Sequence, residues 1–145
     1  MKSLVTGGAG FIGSHLVDAL LDRGDEVVVL DNLCTGRREN LPALGRNPRL
    51  SLEVADIAEP AAILPCFAGV ERVFHLAARA DIVPSIVEPL QYHRSNVDGT
   101  VSVLEASRKA GVKRLVYAAS SSCYGIPDAY PTPEDAPARP QYPYA

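Results

Sequence analysis

No apolar stretch in this sequence approaches the ~20 residues a transmembrane helix needs, and the first strand-like stretch is too short for a signal peptide. Cysteine is scarce: Cys34, Cys66 and Cys123 are odd in number and lack metal-ligand spacing. They read as reduced thiols in a cytoplasmic protein, with no disulfide framework and no metal site. Positive charge is not in excess. With 14 Lys+Arg against 17 Asp+Glu and a net charge of -3, there is no electrostatic footprint for nucleic acid. A charged fraction of 21% beside 47% apolar residues excludes a wholly disordered chain. A chain of 145 residues fits one domain, of a size that buries roughly two-thirds of its unfolded surface.

What the sequence does contain is an alternation of short apolar runs with helix-like segments over its first 120 or so residues. Lys2–Thr6 and Glu26–Leu30 are compact and rich in Val and Leu, as strands buried on both faces should be. Between them Ile12, Leu16, Val17, Leu20 and Leu21 recur at helical spacing, with Gly24 where a helix would end. Leu50, Leu52 and Val54 alternate with Ser51 and Glu53 as a third strand, and Val70–Leu76 and Lys113–Ala118 supply a fourth and fifth. Pro89 to Ala110 reads as one long helix closed by Gly111. Repeated strand–helix–strand units imply a doubly wound α/β fold: a parallel sheet with right-handed crossovers and helices on both faces. The end of the chain differs. Six of the 12 prolines fall in Pro127–Ala145, which forbids a regular helix or central strand there. We therefore divide the chain into residues 1–126, the sheet domain, and 127–145, a Pro-rich loop made aromatic by Tyr130, Tyr142 and Tyr144.

The densest motif is Thr6-Gly7-Gly8-Ala9-Gly10-Phe11-Ile12-Gly13, between the first strand and the first helix. Glycines at 7, 10 and 13 allow a tight turn, close approach of a pyrophosphate to backbone N–H groups, and close helix–strand packing. The helix N-terminus adds partial positive charge. Asp31 ends the second strand, where an acid accepts hydrogen bonds from an adenosine ribose and repels a 2′-phosphate, favouring NAD over NADP. Arg37 and Arg38 lie just downstream, either as partners for a 2′-phosphate or as a solvated helix start. Asp56 follows the third strand at its ligand-facing end, as a site residue or an ordinary turn residue. His75 sits in an apolar strand end and reads as a packed histidine.

Taken together, Thr6–Leu16 (TGGAGFIGSHL), Asp31-Asn32-Leu33 with Gly36, Ala55-Asp56-Ile57 and Phe74-His75-Leu76-Ala77-Ala78 resemble the extended short-chain dehydrogenase/reductase superfamily. Ser85 and Pro89, Asn96–Thr100, Ser120–Gly125 and Pro143-Tyr144-Ala145 carry the likeness to the end of the chain, and within the superfamily it is to the NAD-dependent nucleotide-sugar epimerases. The resemblance implies a Rossmann domain in which Gly7, Gly10, Phe11, Ile12 and Gly13 meet the pyrophosphate of NAD. It puts Asp31, Asn32, Leu33, Thr35 and Gly36 around the adenosine ribose, Asp56 and Ile57 at the adenine, and Leu76, Ala77 and Ala78 on the nicotinamide side. Asn96 would support the cofactor and the backbone of the site; read alone, it is a polar residue on a helix face.

The same resemblance makes Ser120 the catalytic serine and Tyr144 the tyrosine of a Y-x-x-x-K motif, with Ser85 and Ser122 as substrate contacts. It implies epimerisation at C4 of a UDP-hexose through a 4-keto intermediate, in a cytoplasmic homodimer. A phenol ionises near pH 10, so a tyrosine acting as a base near neutrality needs roughly 4 kcal/mol of differential stabilisation from neighbouring positive charge. The sister 4,6-dehydratases carry an Asp-Glu pair between the serine and the Tyr-Gly, where this chain has Ser121-Ser122-Cys123. A non-catalytic NAD-binding module is the other alternative. On the same resemblance the lysine of Y-x-x-x-K would fall three residues past Ala145, so the expectation is an N-terminal fragment truncated before a C-terminal substrate lobe.

Overall fold

The computed structural model describes residues 1–145. The chain runs β1 (Lys2–Thr6), α1 (Phe11–Asp22), β2 (Glu26–Asp31), β3 (Leu50–Val54), α2 (Pro60–Ile63), β4 (Arg72–His75), α3 (Ile82–Val87), α4 (Pro89–His93), α5 (Gly99–Ala110) and β5 (Arg114–Tyr117). All four strand pairings are parallel and the order across the sheet is β3-β2-β1-β4-β5. Strand β1 stands at the centre between β2 and β4, with Ser3–Thr6 all buried, and β2 is buried from Val27 to Asp31 because Val and Leu fill four successive positions and leave no polar face to show water. Their side chains alternate between two cores. Leu4, Val28 and Leu30 join Phe67, Val73 and Val103 on one face, and Val5, Val27 and Val29 join Val17, Leu20 and Leu21 of α1 on the other. This is the three-layer, doubly wound α/β arrangement expected from the alternation of elements.

Three boundaries move. The second strand extends to Asp31, while the fourth and fifth shorten to Arg72–His75 and Arg114–Tyr117. The long helix expected from Pro89 to Ala110 is interrupted by a π-helical turn at Arg94–Asp98. Such a turn inserts an extra residue and rotates the helix beyond it. Here the hydroxyls of Thr100 and Ser102 donate to the carbonyls of Asn96 and Asp98, four residues back, taking up acceptors beside the break. Ile12, counted with the apolar face of α1, is instead 68% exposed, and Phe11 is 79% exposed. Both stand at the helix entrance, ahead of the turn that packs on the sheet. Edge strand β5 leaves Val116 and Tyr117 about half exposed. Residues 127–145 contain no helix or strand, as their prolines require.

Candidate active site

The strand order reverses direction between β1 and β4, and ligands of open α/β sheets bind at the C-terminal side of such a switch point. A cavity of about 330 Å³ lies there. Its floor is the glycine turn. Gly7 has φ +69°, and a Cβ on it would stand 2.8 Å from the backbone nitrogen of Ala77 at the end of β4. A Cβ on Gly13 would collide with the Gly7 carbonyl. These two positions admit no side chain, so the turn is pressed against β4 and α1 begins immediately behind it. No side chain caps the N-terminus of α1 and no acid occupies its first turn, leaving its free N–H groups and partial positive charge directed at the cavity.

Asp31 locks the turn from the β2 side. One carboxylate oxygen accepts the Ala9 N–H (3.0 Å) and the other the Leu33 N–H (2.8 Å), with the residue 7% exposed. The Ala9 carbonyl in turn accepts the Asn40 side-chain amide (2.7 Å) and the Arg37 N–H (3.0 Å). Leu33 takes a left-handed φ of 59°, the strain of a sharp reversal held by the Asp31 bond.

A second network lies beneath the other end of the cavity. The Thr100 hydroxyl donates its proton to the Asn96 carbonyl (2.7 Å), so it can only accept at its 2.9 Å contact with Nε2 of His75. Nε2 therefore carries the ring proton. Nδ1 accepts the Thr6 hydroxyl proton at 2.6 Å, and the Thr6 oxygen accepts the Leu76 and Ala77 N–H groups, each at 3.2 Å. His75 is 1% exposed, and burial pushes its pKa down to about 4. The packed reading of His75 holds, and the packing is polar. Asn96 spans the neighbouring loop, accepting the Arg79 N–H (2.8 Å) and donating to the Arg79 carbonyl (2.9 Å). It braces backbone and is not a solvated helix-face residue.

Asp56 is tied down from the π-helical turn: its carboxylate accepts the Arg94 guanidinium (2.6 Å) and the Ala58 N–H (2.9 Å). Burial pushes this carboxyl up, but those two donors outweigh it and hold the pKa below its ordinary value. Arg94 also reaches Glu59 at 2.5 Å. At the end of β5, Ser120 accepts the Ser122 N–H (3.2 Å) as the cap of a 3-10 turn over Ser121–Tyr124. Tyr144 is half-buried, and its N–H donates to the Ser85 hydroxyl at 3.2 Å.

The cavity is lined by Gly7, Gly10, Phe11, Ile12, Gly13, Asp31, Asn32, Thr35, Ile57, Leu76, Ala77 and Ala78, all named from the sequence. Leu33, Gly36, Asp56 and Asn96 stand behind that wall and act on it through the backbone or Asp31. Leu30, Cys34, Ala55, Arg79, Ser95 and Ala118 also line it. Leu30, Ala55 and Ala118 sit at strand ends, where a parallel sheet points its residues at the ligand side, so that signal was available. Ser95 lies in the π-helical turn, which no sequence periodicity announces.

Parallel order 3-2-1-4-5, a glycine turn at the switch point and an acid ending β2 define a Rossmann-type nucleotide-binding fold. The NAD dependent epimerase/dehydratase family matches residues 3–145, and the chain belongs to that family. It is 47% identical over 148 residues to the UDP-glucose 4-epimerase of Mycolicibacterium smegmatis, covering 100% of this chain and 47% of that protein. UDP-N-acetylglucosamine 4-epimerase from Methanobrevibacter ruminantium M1, solved with UDP-N-acetylmuramic acid, superposes with a TM-score of 0.92 at 36% identity, over 99% of this chain and 45% of that one. The UDP-glucose 4-epimerase of Thermus thermophilus, solved with NAD, gives a TM-score of 0.88 at 41% identity, over 99% and 46%. The chain thus spans about half the length of the curated relatives it matches.

Proposed function

We propose that this chain is the NAD-binding part of a nucleotide-sugar 4-epimerase acting on a UDP-hexose. The observation that carries the reading is the cavity at the switch point, floored by a glycine turn with no room for a Cβ at Gly7 or Gly13 and faced by an uncapped helix N-terminus. That combination fits a dinucleotide. Gly7, Gly10 and Gly13 leave room for a pyrophosphate against the first turn of α1. Asp31 and Asn32 would take the adenosine ribose, Ile57 the adenine, and Leu76, Ala77 and Ala78 the nicotinamide. Both Asp31 oxygens already hold one N–H each, and each retains a lone pair for a ribose hydroxyl. NAD, when bound, supplies reversible hydride acceptance at the sugar C4.

The chain's own part is proton management and positioning. Tyr144 would remove the proton from the C4 hydroxyl and return it after the 4-keto sugar has turned over. Ser120, at the end of β5, would hydrogen-bond the same oxygen and shorten the proton's path, with Ser122 as a sugar contact. The stretch Ser121-Ser122-Cys123 offers no carboxylate for water elimination, which favours epimerisation over dehydration. In an active enzyme containing these residues, Tyr144→Phe should abolish UDP-glucose/UDP-galactose interconversion while NAD stays bound. Near wild-type turnover by that variant would refute the assignment.

We also read the enzyme as a cytoplasmic homodimer. No helix is long and apolar enough to cross a membrane, and the three cysteines are unpaired. Val97, Val101 and Leu104, at spacings of four and three residues, form an exposed apolar stripe from the π-helical turn into α5, and Leu90 of α4 is exposed as well. A second copy related by a two-fold axis would cover it with the same stripe. Sedimentation analysis tests this: Val101→Glu should shift a dimer to monomer, and a wild-type monomer at all concentrations would refute it.

A further inference from the structure

Resting on the catalytic reading of Tyr144, we infer that Ser85 is a positioning residue: a buried hydroxyl on α3 that holds the backbone of the catalytic tyrosine in place. Ser85 has no exposed surface. Its hydroxyl proton goes to the Ile82 carbonyl at 2.6 Å, and its oxygen accepts the Tyr144 N–H at 3.2 Å across 59 positions of sequence. This is the one hydrogen bond between residues 127–145 and the sheet domain outside the 3-10 turn. The other bonds of that segment stay within it or reach the 3-10 turn, through Arg139 N–H to the Cys123 carbonyl (2.9 Å) and the Tyr124 hydroxyl to the Glu134 carbonyl (3.5 Å). Residues 127–143, without helix or strand, give Tyr144 no ladder on its N-terminal side. The bond to Ser85 is therefore the tie that anchors its peptide unit to the sheet domain.

Ser85 is built for that task and poorly placed for substrate contact. Donation to Ile82 fixes the hydroxyl rotor, so a lone pair stays aimed at the loop when Tyr144 is absent from it. The position is tolerant, since alanine favours the helix and removes only the hydroxyl's bonds to the Ile82 carbonyl and the Tyr144 N–H. A general base must sit within hydrogen-bond reach of its proton, and small misplacements cost rate more than binding.

The test compares Ser85→Ala, Ser85→Thr and Tyr144→Phe in an active enzyme containing these residues, with UDP-galactose as substrate. Ser85→Ala should lower kcat about tenfold or more, leaving KM and the Kd for NAD within about twofold. Ser85→Thr, which keeps the hydroxyl, should recover most of the loss. Hydrogen exchange reads the tie independently: the Tyr144 amide of this chain should exchange at least about tenfold faster in Ser85→Ala, with strand amides unchanged. Wild-type kcat in Ser85→Ala beside an inactive Tyr144→Phe overturns the inference, as does unaltered Tyr144 exchange. A loss spread over KM, NAD affinity and strand protection also overturns it in favour of a general structural part. An active Tyr144→Phe enzyme sinks the catalytic reading instead, and the exchange result then stands by itself.

Discussion

Acidification should unfold this protein through His75. In the native state the ring is neutral, protonated at Nε2, and burial pushes its pKa down to about 4. In the unfolded chain it titrates near 6.5. Between those values the unfolded state holds the extra proton, so stability falls as pH falls. The contribution is fully present above about pH 6.5 and is gone below about pH 4. The gap of about 2.5 pH units corresponds to roughly 3 kcal/mol, a large share of the 5–15 kcal/mol typical of a domain. Protonation of Nδ1 would also remove the acceptor for the Thr6 hydroxyl, whose oxygen holds the Leu76 and Ala77 amides beside the cavity. Urea unfolding at pH 7 and pH 4.5 measures the effect. Wild type should lose about 2 kcal/mol more than His75→Gln, which keeps a donor and an acceptor and does not titrate. Nitrogen-resolved NMR of the ring should show Nε2–H and a midpoint near 4. A midpoint near 6.5 would refute the energetic consequence, and an Nδ1–H tautomer would refute the hydrogen-bond argument for the ring proton.

Ser3 is fully buried and its hydroxyl has no partner, so Ser3→Ala should raise the urea midpoint, by about 1 kcal/mol in stability; a loss of that size would reveal a partner. Gly13→Ala should weaken NAD binding at least about tenfold, because the methyl must displace the Gly7 carbonyl, and unchanged fluorescence titration would count against the glycine turn as the phosphate site. NAD should bind more tightly than NADP, because the Asp31 carboxylate at the end of β2 repels a 2′-phosphate; the reverse order would promote Arg37 and Arg38 to phosphate ligands.

Much of this molecule is legible in one dimension because its signals are local. The Val- and Leu-rich run of β2 identifies a strand buried on both faces, since a segment with no polar face must be covered on both sides. The glycines at 7, 10 and 13 and the acid at 31 mark one end of the cavity because a strand–turn–helix unit brings neighbours in sequence together in space. Pro127 to Pro143 rule out regular structure from the chemistry of the ring alone.

Other features depend on which elements meet. The π-helical turn at Arg94–Asp98 leaves no periodic trace, yet it supplies Ser95 to the cavity, Asn96 to Arg79 and Arg94 to Asp56. Ile12 keeps helical spacing with Leu16 but lies beyond the edge of the sheet, so it faces the cavity and not the core. The proton on Nε2 of His75 follows from Thr100, 25 residues away, and Ser85 meets Tyr144 only because α3 and the loop pack together. Spacing along a chain encodes periodicity and backbone freedom. Hydrogen bonds between distant residues are decided when packing has already fixed both partners, so only the folded structure shows them.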